Sequence, residues 1–555
     1  MITNIAFKFG KGPGSAPEKT KLTPVTVFVG PNNSGKSKVL SEILTHCSGA
    51  EISGRDVIVA GLEFSPPSPI QAEKIIERHT QEPDPGQPMQ PGEILYGSQQ
   101  RGTYRIDRNE LLEYLQDTTD DGFRRYYLNF NTLMLDGPGR IGLVQPQPAG
   151  DLQKVPVTSL QALFSDDVKR AEVRRILREA FGFYFTIDPT LLGQLRIRFS
   201  SREPSDEMEE RGFHDAAVRF HAAGLPIENT SDGVKAFTGM IIEIIAGDPS
   251  VILIDEPEAF LHPSLAFQLG KEISQLASGT QKSLLVSTHS ANFVMGCIQS
   301  GAPVNIIRLT YRSGVATARI LRNDEILRLM RNPLLRSTGL LSGLFYEFVV
   351  VTEADADRAF YQEINERLLR LTPDSGIPNC LFLNAQNKQT VQTLIRPLRD
   401  LGIPAAAIVD VDILKEGGAV WSGFLEGGFV PTIERQALAL SRTEVNRRFD
   451  ATNRDMKRDG GIDLLAPDDR EAATNLFERL AEYGLFVVPR GEIESWLPTL
   501  RATGHGPNWL IDIFEKMGED PSIPEYIRPG PGDVWEFMAS LKKWLTNPNR
   551  KGIPY

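Results

Sequence analysis

Residues 30–37 read Gly-Pro-Asn-Asn-Ser-Gly-Lys-Ser, a spacing of glycine, lysine and hydroxyl suited to holding a chain of phosphates. In such a loop the backbone N–H groups of Gly30, Asn32, Asn33, Ser34 and Gly35 cradle the anions, and a helix N-terminus behind them adds its own positive end. Lys36 would reach the outer phosphates, and the Ser37 hydroxyl would ligate Mg²⁺. Asp255 closes the apolar run Ser250-Val-Ile-Leu-Ile-Asp255 and suits the same metal. Glu256 follows directly and could polarise an attacking water. His289 closes a third run, Ser283-Leu-Leu-Val-Ser-Thr-His289, where it could contact the terminal phosphate.

A second set of acids lies beyond position 345. Phe348-Val-Val-Val-Thr ends in Glu353, with Asp357 four residues on, and Ala406-Ala-Ile-Val ends in Asp410, Val411 and Asp412. A later acid comes after another apolar run, in Phe486-Val-Val-Pro-Arg-Gly-Glu492-Ile-Glu494. Two-metal phosphodiester chemistry needs several carboxylates converging on ions about 3.5–4 Å apart, and hard Mg²⁺ or Mn²⁺ fits such donors. Asp410 and Asp412 are two apart, so an extended backbone would aim both at one face. If a helix begins after Glu353, Asp357 stacks one turn above it. Singly, each acid is an ordinary strand or helix cap.

These groups require strands that deliver them to one edge. Pro24-Val-Thr-Val-Phe-Val-Gly30 and the helical spacing after Lys36 predict strand–loop–helix, the setting a phosphate loop needs. Residues 64–100, rich in Pro, Gly and Gln, read as a long surface insertion. Residues 158–182 read as helices. Residues 313–345 alternate basic and apolar residues and read as a connector. A new α/β unit starts near Tyr346, and after about residue 500 the pattern is helical with Gly-Pro breaks such as Arg528-Pro-Gly-Pro-Gly-Asp533.

The 555 residues allow about three or four domain-sized units. No apolar stretch approaches the roughly 20 residues of a membrane span, and the first residues lack the pattern of a secretory signal. Cys47, Cys297 and Cys380 are too dispersed for a zinc site and suit a reducing cytosol, so a soluble cytoplasmic protein is expected. The net charge of −11 argues against a globally basic nucleic-acid wrapper. Basic stretches occur at Lys169–Arg178, Arg319–Arg336 and Arg447–Arg458, each mixed with acids and read as solvated helix faces, with a phosphate-tracking surface as the alternative.

Ile252-Leu-Ile-Asp-Glu-Pro-Glu-Ala-Phe-Leu-His-Pro263 followed by Ser287-Thr-His-Ser290 resembles the head of ABC-type ATPases, specifically the SMC-like branch. That resemblance implies a signature segment, matched loosely by Thr230-Ser-Asp-Gly-Val-Lys235 through Ser231 and Gly233, with Asp232 where the family's first glycine stands. It further implies a homodimer of heads and a glutamine loop, for which Gln145 and Gln147 are the candidates. A Glu followed by Asp-x-Asp on a later strand resembles the TOPRIM fold, with Ala354 in place of the usual Gly.

An SMC-like head followed by TOPRIM is similar to the OLD-family (overcoming lysogenization defect) endonucleases, a layout shared by the nuclease subunit of the Gabija antiphage system. The resemblance implies an α/β chain with an ABC/SMC-like ATPase domain at 1–312, a helical dimerisation insertion within about 155–225, a connector at 313–345, a TOPRIM domain at 346–500 and a helical extension at 501–555. It implies ATP and Mg²⁺ or Mn²⁺ as cofactors, and DNA, a second copy and a defence-system protein as partners. Glu353, Asp357, Asp410, Asp412 and Glu494 would bind metal, with Glu492 the lesser choice. A lysine near the C-terminus would stabilise the phosphate, with Lys542, Lys543 and Lys551 all open. The expected activity is an ATP-controlled, metal-dependent DNA endonuclease serving phage defence. The competing readings are an ATPase sensor whose TOPRIM unit docks an effector, and an SMC-like DNA-repair ATPase.

Overall fold

The strand runs that lead to the candidate site residues are largely apolar and buried on both faces: Val25–Val29, Ser283–Ser287, Phe348–Thr352 and Ala405–Val409 are buried at every position. Such runs belong in parallel sheets covered by helices on both sides. The computed structural model of the chain, which describes residues 1–48, 56–83, 88–98, 102–333, 335 and 339–554, has two such sheets. One lies in a unit comprising Met1–Val29 and Asn33–Leu327, the other in a unit centred on Arg328–Tyr555.

In the first unit six strands run in the order Val315–Leu321, Val304–Arg312, Val25–Val29, Ser283–Ser287, Val251–Asp255 and Thr132–Leu135. All are parallel except the edge strand Val315–Leu321, which closes a hairpin. The strand leading to His289 therefore lies between the one that feeds the phosphate loop and the one that ends in Asp255. Phe28, Leu253 and Leu285 pack with Val39, Leu40 and Ile43 of helix Lys36–Cys47.

Three stretches differ from expectation. Within 64–100, helix Pro69–His79 and strand Glu93–Ser98 form a folded layer around a fully buried Tyr96, so the described part is no loose surface insertion; residues 84–87 and 99–100 lie outside the described set. The range 155–225 holds helices Ser159–Ser165 and Asp167–Phe181 but then a hairpin of Tyr184–Asp188 and Gln194–Ser200. Its buried apolar residues, Phe185, Ile187, Leu195, Ile197 and Phe199, recur every second position, the strand period. The expected connector begins with strand Val315–Leu321 of the first unit, while residues 334 and 336–338, Arg336 among them, lie outside the described set. Arg170 is also no solvated residue. It is 3% exposed and meets Glu210 at 3.0 Å.

The second unit holds four parallel strands in the order Cys380–Asn384, Phe348–Thr352, Ala405–Val409 and Leu485–Val487. Helices Pro507–Met517 and Asp533–Thr546 join its core: Trp509, Ile513, Trp535 and Leu541 pack with Phe360 and Ile364 of helix Asp355–Leu371. The two helices of 501–554 are thus part of this unit's core rather than an appended tail. Among the described residues no helix is long and apolar enough to cross a membrane.

Arg399 closes the sheet edge opposite the acids. Its fully buried guanidinium donates to the carbonyls of Ala405 (2.9 Å), Gly428 (2.8 Å), Gly552 (3.2 Å) and Gly484 (3.3 Å), and stacks 4.9 Å over Trp544. This ties the strand bearing Asp410, the strand leading to Glu492 and the end of the chain to helix Lys388–Asp400. Arg399→Met would leave those carbonyls without their donor, at a cost of about 3 kcal/mol or more. The expected reading is a lower urea midpoint for the second unit with the slope unchanged; an unshifted midpoint would refute the assignment.

Candidate nucleotide and metal sites

The chain turns from strand Val25–Val29 through Gly30–Gly35 into helix Lys36–Cys47. Gly35 takes φ 94°, in the left-handed region, and a Cβ there would meet Ile58 Cδ1 at 2.6 Å, so glycine is required. Asn32 and Asn33 are exposed, and Ser34 is buried with its Oγ unpartnered. Ser37 Oγ donates to Asp255 Oδ1 at 3.0 Å, and Ser287 Oγ reaches the same oxygen. Lys36 is 4% exposed; burial lowers its pKa to about 8 against the pull of Glu256, Asp255 and Glu258. His289 Nε2 stands 3.3 Å from Glu256 Oε1, and burial beside Lys36 holds the imidazole below its usual pKa. The fold thus brings Lys36, Ser37, Asp255, Glu256 and His289 to one edge.

The structure adds two residues that motif spacing missed. Glu258 Oε1 accepts the His289 N–H at 2.7 Å, and burial raises its carboxyl pKa. Arg140, 1% exposed, donates from Nη1 to the Asp255 carbonyl at 2.7 Å and the Glu256 carbonyl at 2.8 Å. The available signals were a third acid in Asp-Glu-Pro-Glu and an arginine just past strand Thr132–Leu135, at the same sheet edge. Ser231 is exposed and caps helix Asp232–Ala246, accepting from Val234 N at 3.4 Å. Gly233 is buried under the Phe260 carbonyl. Gln147 does not behave as a free loop glutamine: its amide spans Leu143 O and Leu160 N, both at 3.2 Å. Gln145 is exposed.

In the second unit the carboxylate oxygens of Glu353, Asp410 and Asp412 lie within 4.8 Å of one another. The backbone is not extended across Asp410 and Asp412 as expected. The strand ends at Val409 and Asp412 sits in the 3₁₀ turn Val411–Lys415, which wraps the second acid back towards the first. Glu353 Oε1 accepts the Asp410 N–H at 2.9 Å. Burial, then the charge of Asp410, raises the Glu353 carboxyl well above its usual pKa, and burial raises Asp410 as well. Asp357 stands outside the trio. Its Oδ2 accepts the Ala354 N–H at 3.0 Å at the start of helix Asp355–Leu371, and burial with the charge of Asp410 lifts its pKa to about 7. Ala354 has φ −126°, so the missing glycine costs this turn nothing.

A second group, Glu492, Glu494 and His505, also has donor atoms within 4.8 Å. Lys457 Nζ joins the two groups, 2.7 Å from Asp410 Oδ2 and 3.5 Å from Glu492 Oε2. Lys388 Nζ lies 2.7 Å from Asp412 Oδ2 and 3.4 Å from Glu416. These are the site's lysines; the three C-terminal candidates are engaged elsewhere or point to solvent. Lys542 donates to the Pro373 and Asp374 carbonyls, Lys551 pairs with Glu482 at 2.5 Å, and Lys543 is exposed. Oxygen donors crowded enough to hold protons, with Asp412 Oδ1 buried and unpartnered, fit a divalent cation.

A family model described as "AAA domain, putative AbiEii toxin, Type IV TA system" matches residues 151–295, taking in Ser231, Asp255, Glu256 and His289. No curated protein matches the chain. Similar solved structures include an SmcHead bound to the C-winged helix domain of ScpA (16% identity, TM-score 0.34, 59% of this chain and 99% of that one). Another is the SMC head domain from Thermotoga maritima (13%, TM-score 0.30, 58% and 99%). A third is an Smc head domain with an extended coiled coil bound to the C-terminal domain of ScpA, derived from Pyrococcus furiosus (14%, TM-score 0.31, 60% and 98%).

The acid cluster sets a pH dependence. Asp357 keeps its proton up to about pH 7 in the fold but releases it near 3.8 when unfolded. The folded state then binds more protons across that window, so this contribution is complete below it and lost as pH rises through about 7. In EDTA the melting temperature of the second unit should fall over this range, and Asp357→Asn should flatten the fall. Added Mn²⁺ should raise it more at pH 8 than at pH 5. An equal rise at both would count against the cluster as a cation site.

Proposed function

We propose that the first unit binds and hydrolyses ATP with Mg²⁺, and that the second cleaves the DNA backbone using divalent metal ions, with the nucleotide state governing cleavage. Support for the first half comes from Lys36, Ser37, Asp255, Glu256 and His289 sharing one sheet edge, in a unit that carries the AAA-domain match. Lys36 would pair with the outer phosphates, Ser37 and Asp255 would hold Mg²⁺, and Glu256 would orient the attacking water beside His289. The exposed Ser231 end of helix Asp232–Ala246 suits completion of a second copy's ATP site in a homodimer.

The nuclease half rests on one observation: Glu353, Asp410 and Asp412 converge while Lys457 links them to Glu492. Divalent ions held there would polarise a phosphoryl oxygen and offset the acids' repulsion of DNA. Glu353 and Asp410 are fixed to each other through the Asp410 N–H. Lys388 and Lys457 place positive charge on either side, where an anionic backbone would approach. A purely docking domain has no use for buried, mutually repelling carboxylates, which disfavours the silent-scaffold reading. A nuclease under nucleotide control suits the phage-defence role of the OLD-type endonucleases that the motifs resemble.

The test incubates the protein with supercoiled plasmid and Mg²⁺ or Mn²⁺, with and without ATP. Asp410→Asn should lower cleavage at least about 100-fold while ATP hydrolysis stays within about twofold. Lys36→Ala should remove ATP binding and abolish the difference between the ATP lanes. Cleavage persisting in Asp410→Asn would refute the metal-site assignment.

A further inference from the structure

Arg140 is the most thoroughly buried charge at the nucleotide edge, and neither phosphate-loop chemistry nor metal binding employs it. It sits on helix Gly137–Gly142, whose N-terminus is fixed by Asp136 accepting the Gly139 N–H at 2.7 Å. One guanidinium nitrogen holds both carbonyls of the Asp255–Glu256 pair, at 2.7 and 2.8 Å. Glu256 has φ 51°, a conformation that disfavours a residue with a Cβ, so its carboxylate is aimed by a strained backbone that needs an external hold. Three contacts supply one: the Glu256 N–H donates to Ser287 O at 2.9 Å, and the Glu256 carbonyl accepts from the Ala259 N–H at 2.9 Å and from the buried Arg140 at 2.8 Å.

The same arginine is pressed against helix Asp232–Ala246. A Cβ on Gly239 would meet the Arg140 carbonyl oxygen at 2.5 Å, so the two helices touch backbone to backbone. At its other end this helix meets the segment beyond Glu256, where a Cβ on Gly233 would lie 2.5 Å from the Phe260 carbonyl oxygen. The helix that begins after the exposed Ser231 is therefore in unyielding contact with both flanks of Glu256, and close-packed backbone transmits displacement rather than absorbing it.

We propose that Arg140 is a positioning residue that sets the Glu256 carboxylate for water attack and relays to it the position of helix Asp232–Ala246. Engagement at the Ser231 end would then tune hydrolysis without touching the phosphates. This rests on the reading of the first unit as an ATP hydrolase. A base displaced by about 1 Å forfeits up to about 100-fold in rate, whereas ATP affinity, set by Lys36 and the loop, is untouched.

The experiment measures kcat and KM for ATP hydrolysis, ATP affinity by calorimetry under the same conditions, and melting temperature for the wild type, Arg140→Gln, Arg140→Ala and Gly239→Ala. Arg140→Gln should lose kcat by about 10- to 100-fold with KM and affinity within about threefold. Guanidinium ion at millimolar concentration should restore part of the rate to Arg140→Ala, which a merely structural defect would not permit. Gly239→Ala, with Arg140 intact, should reproduce the kcat loss by wedging the helices apart, and it serves as the test if the arginine variants melt too low to assay. Normal kcat in folded Arg140→Gln or Gly239→Ala, or a loss confined to KM, overturns the proposal. No turnover by the wild type would overturn the hydrolase reading and this inference with it; turnover that survives the substitutions overturns this inference alone.

Discussion

A strand buried on both faces of a parallel sheet cannot carry charge along its length, because each unpaired charge taken from water costs several kcal/mol. Charge is confined to the strand ends, and parallel strands end together. The strands that lead to the candidate sites obey this: Asp255 and His289 close or follow neighbouring strands in the first unit, as Glu353, Asp410 and Glu492 do in the second. The chemistry of the chain follows from that confinement. The same apolar runs that stabilise each sheet bring its acids together at one edge.

Crowding then sets the protonation of these groups. In the first unit three acids face Lys36 and Arg140, and burial lowers the pKa of both cations. In the second, Glu353, Asp410 and Glu492 are raised by burial together with neighbouring carboxylates, even though Lys457 stands in contact with Asp410 and Glu492. The first edge is built around cations that have lost water, the second around anions that have. An anionic ligand relieves the first strain, and small cations relieve the second.

Much of this was legible in the residues because it depends on local pattern. Val25–Val29, Val251–Asp255 and Ala405–Val409 are uniform apolar runs closed by an acid or a glycine, and they stand where expected. What escaped depends on contacts between distant positions. Lys457 lies between the third and fourth strands of its sheet and reaches Asp410 only because a helical excursion returns there. Lys542 looked equally eligible, yet its helix packs against Asp355–Leu371 and its amine meets Pro373 and Asp374. The hairpin at 184–200 was hidden behind the strong helical period of 159–181, and the turn at Asp412 behind an assumption that an apolar strand continues past its first acid.

Arg140 shows why such residues stay silent in sequence. Its role depends on the two carbonyls it holds and on Gly239, and carbonyls have no residue type. Burial lowers the Arg140 pKa against the pull of Glu258, Asp255 and Glu256, but a guanidinium starts so high that it still carries its charge beside them. It can therefore lower their mutual repulsion without neutralising any one of them, and in the proposed hydrolysis Glu256 stays free to accept a proton from water. An acid partner for Arg140 would have removed that freedom. Among the described residues its Nη1 bonds go to carbonyls and not to a carboxylate, which lets one arginine fix the backbone of Glu256 and leave that carboxylate available for the proposed chemistry.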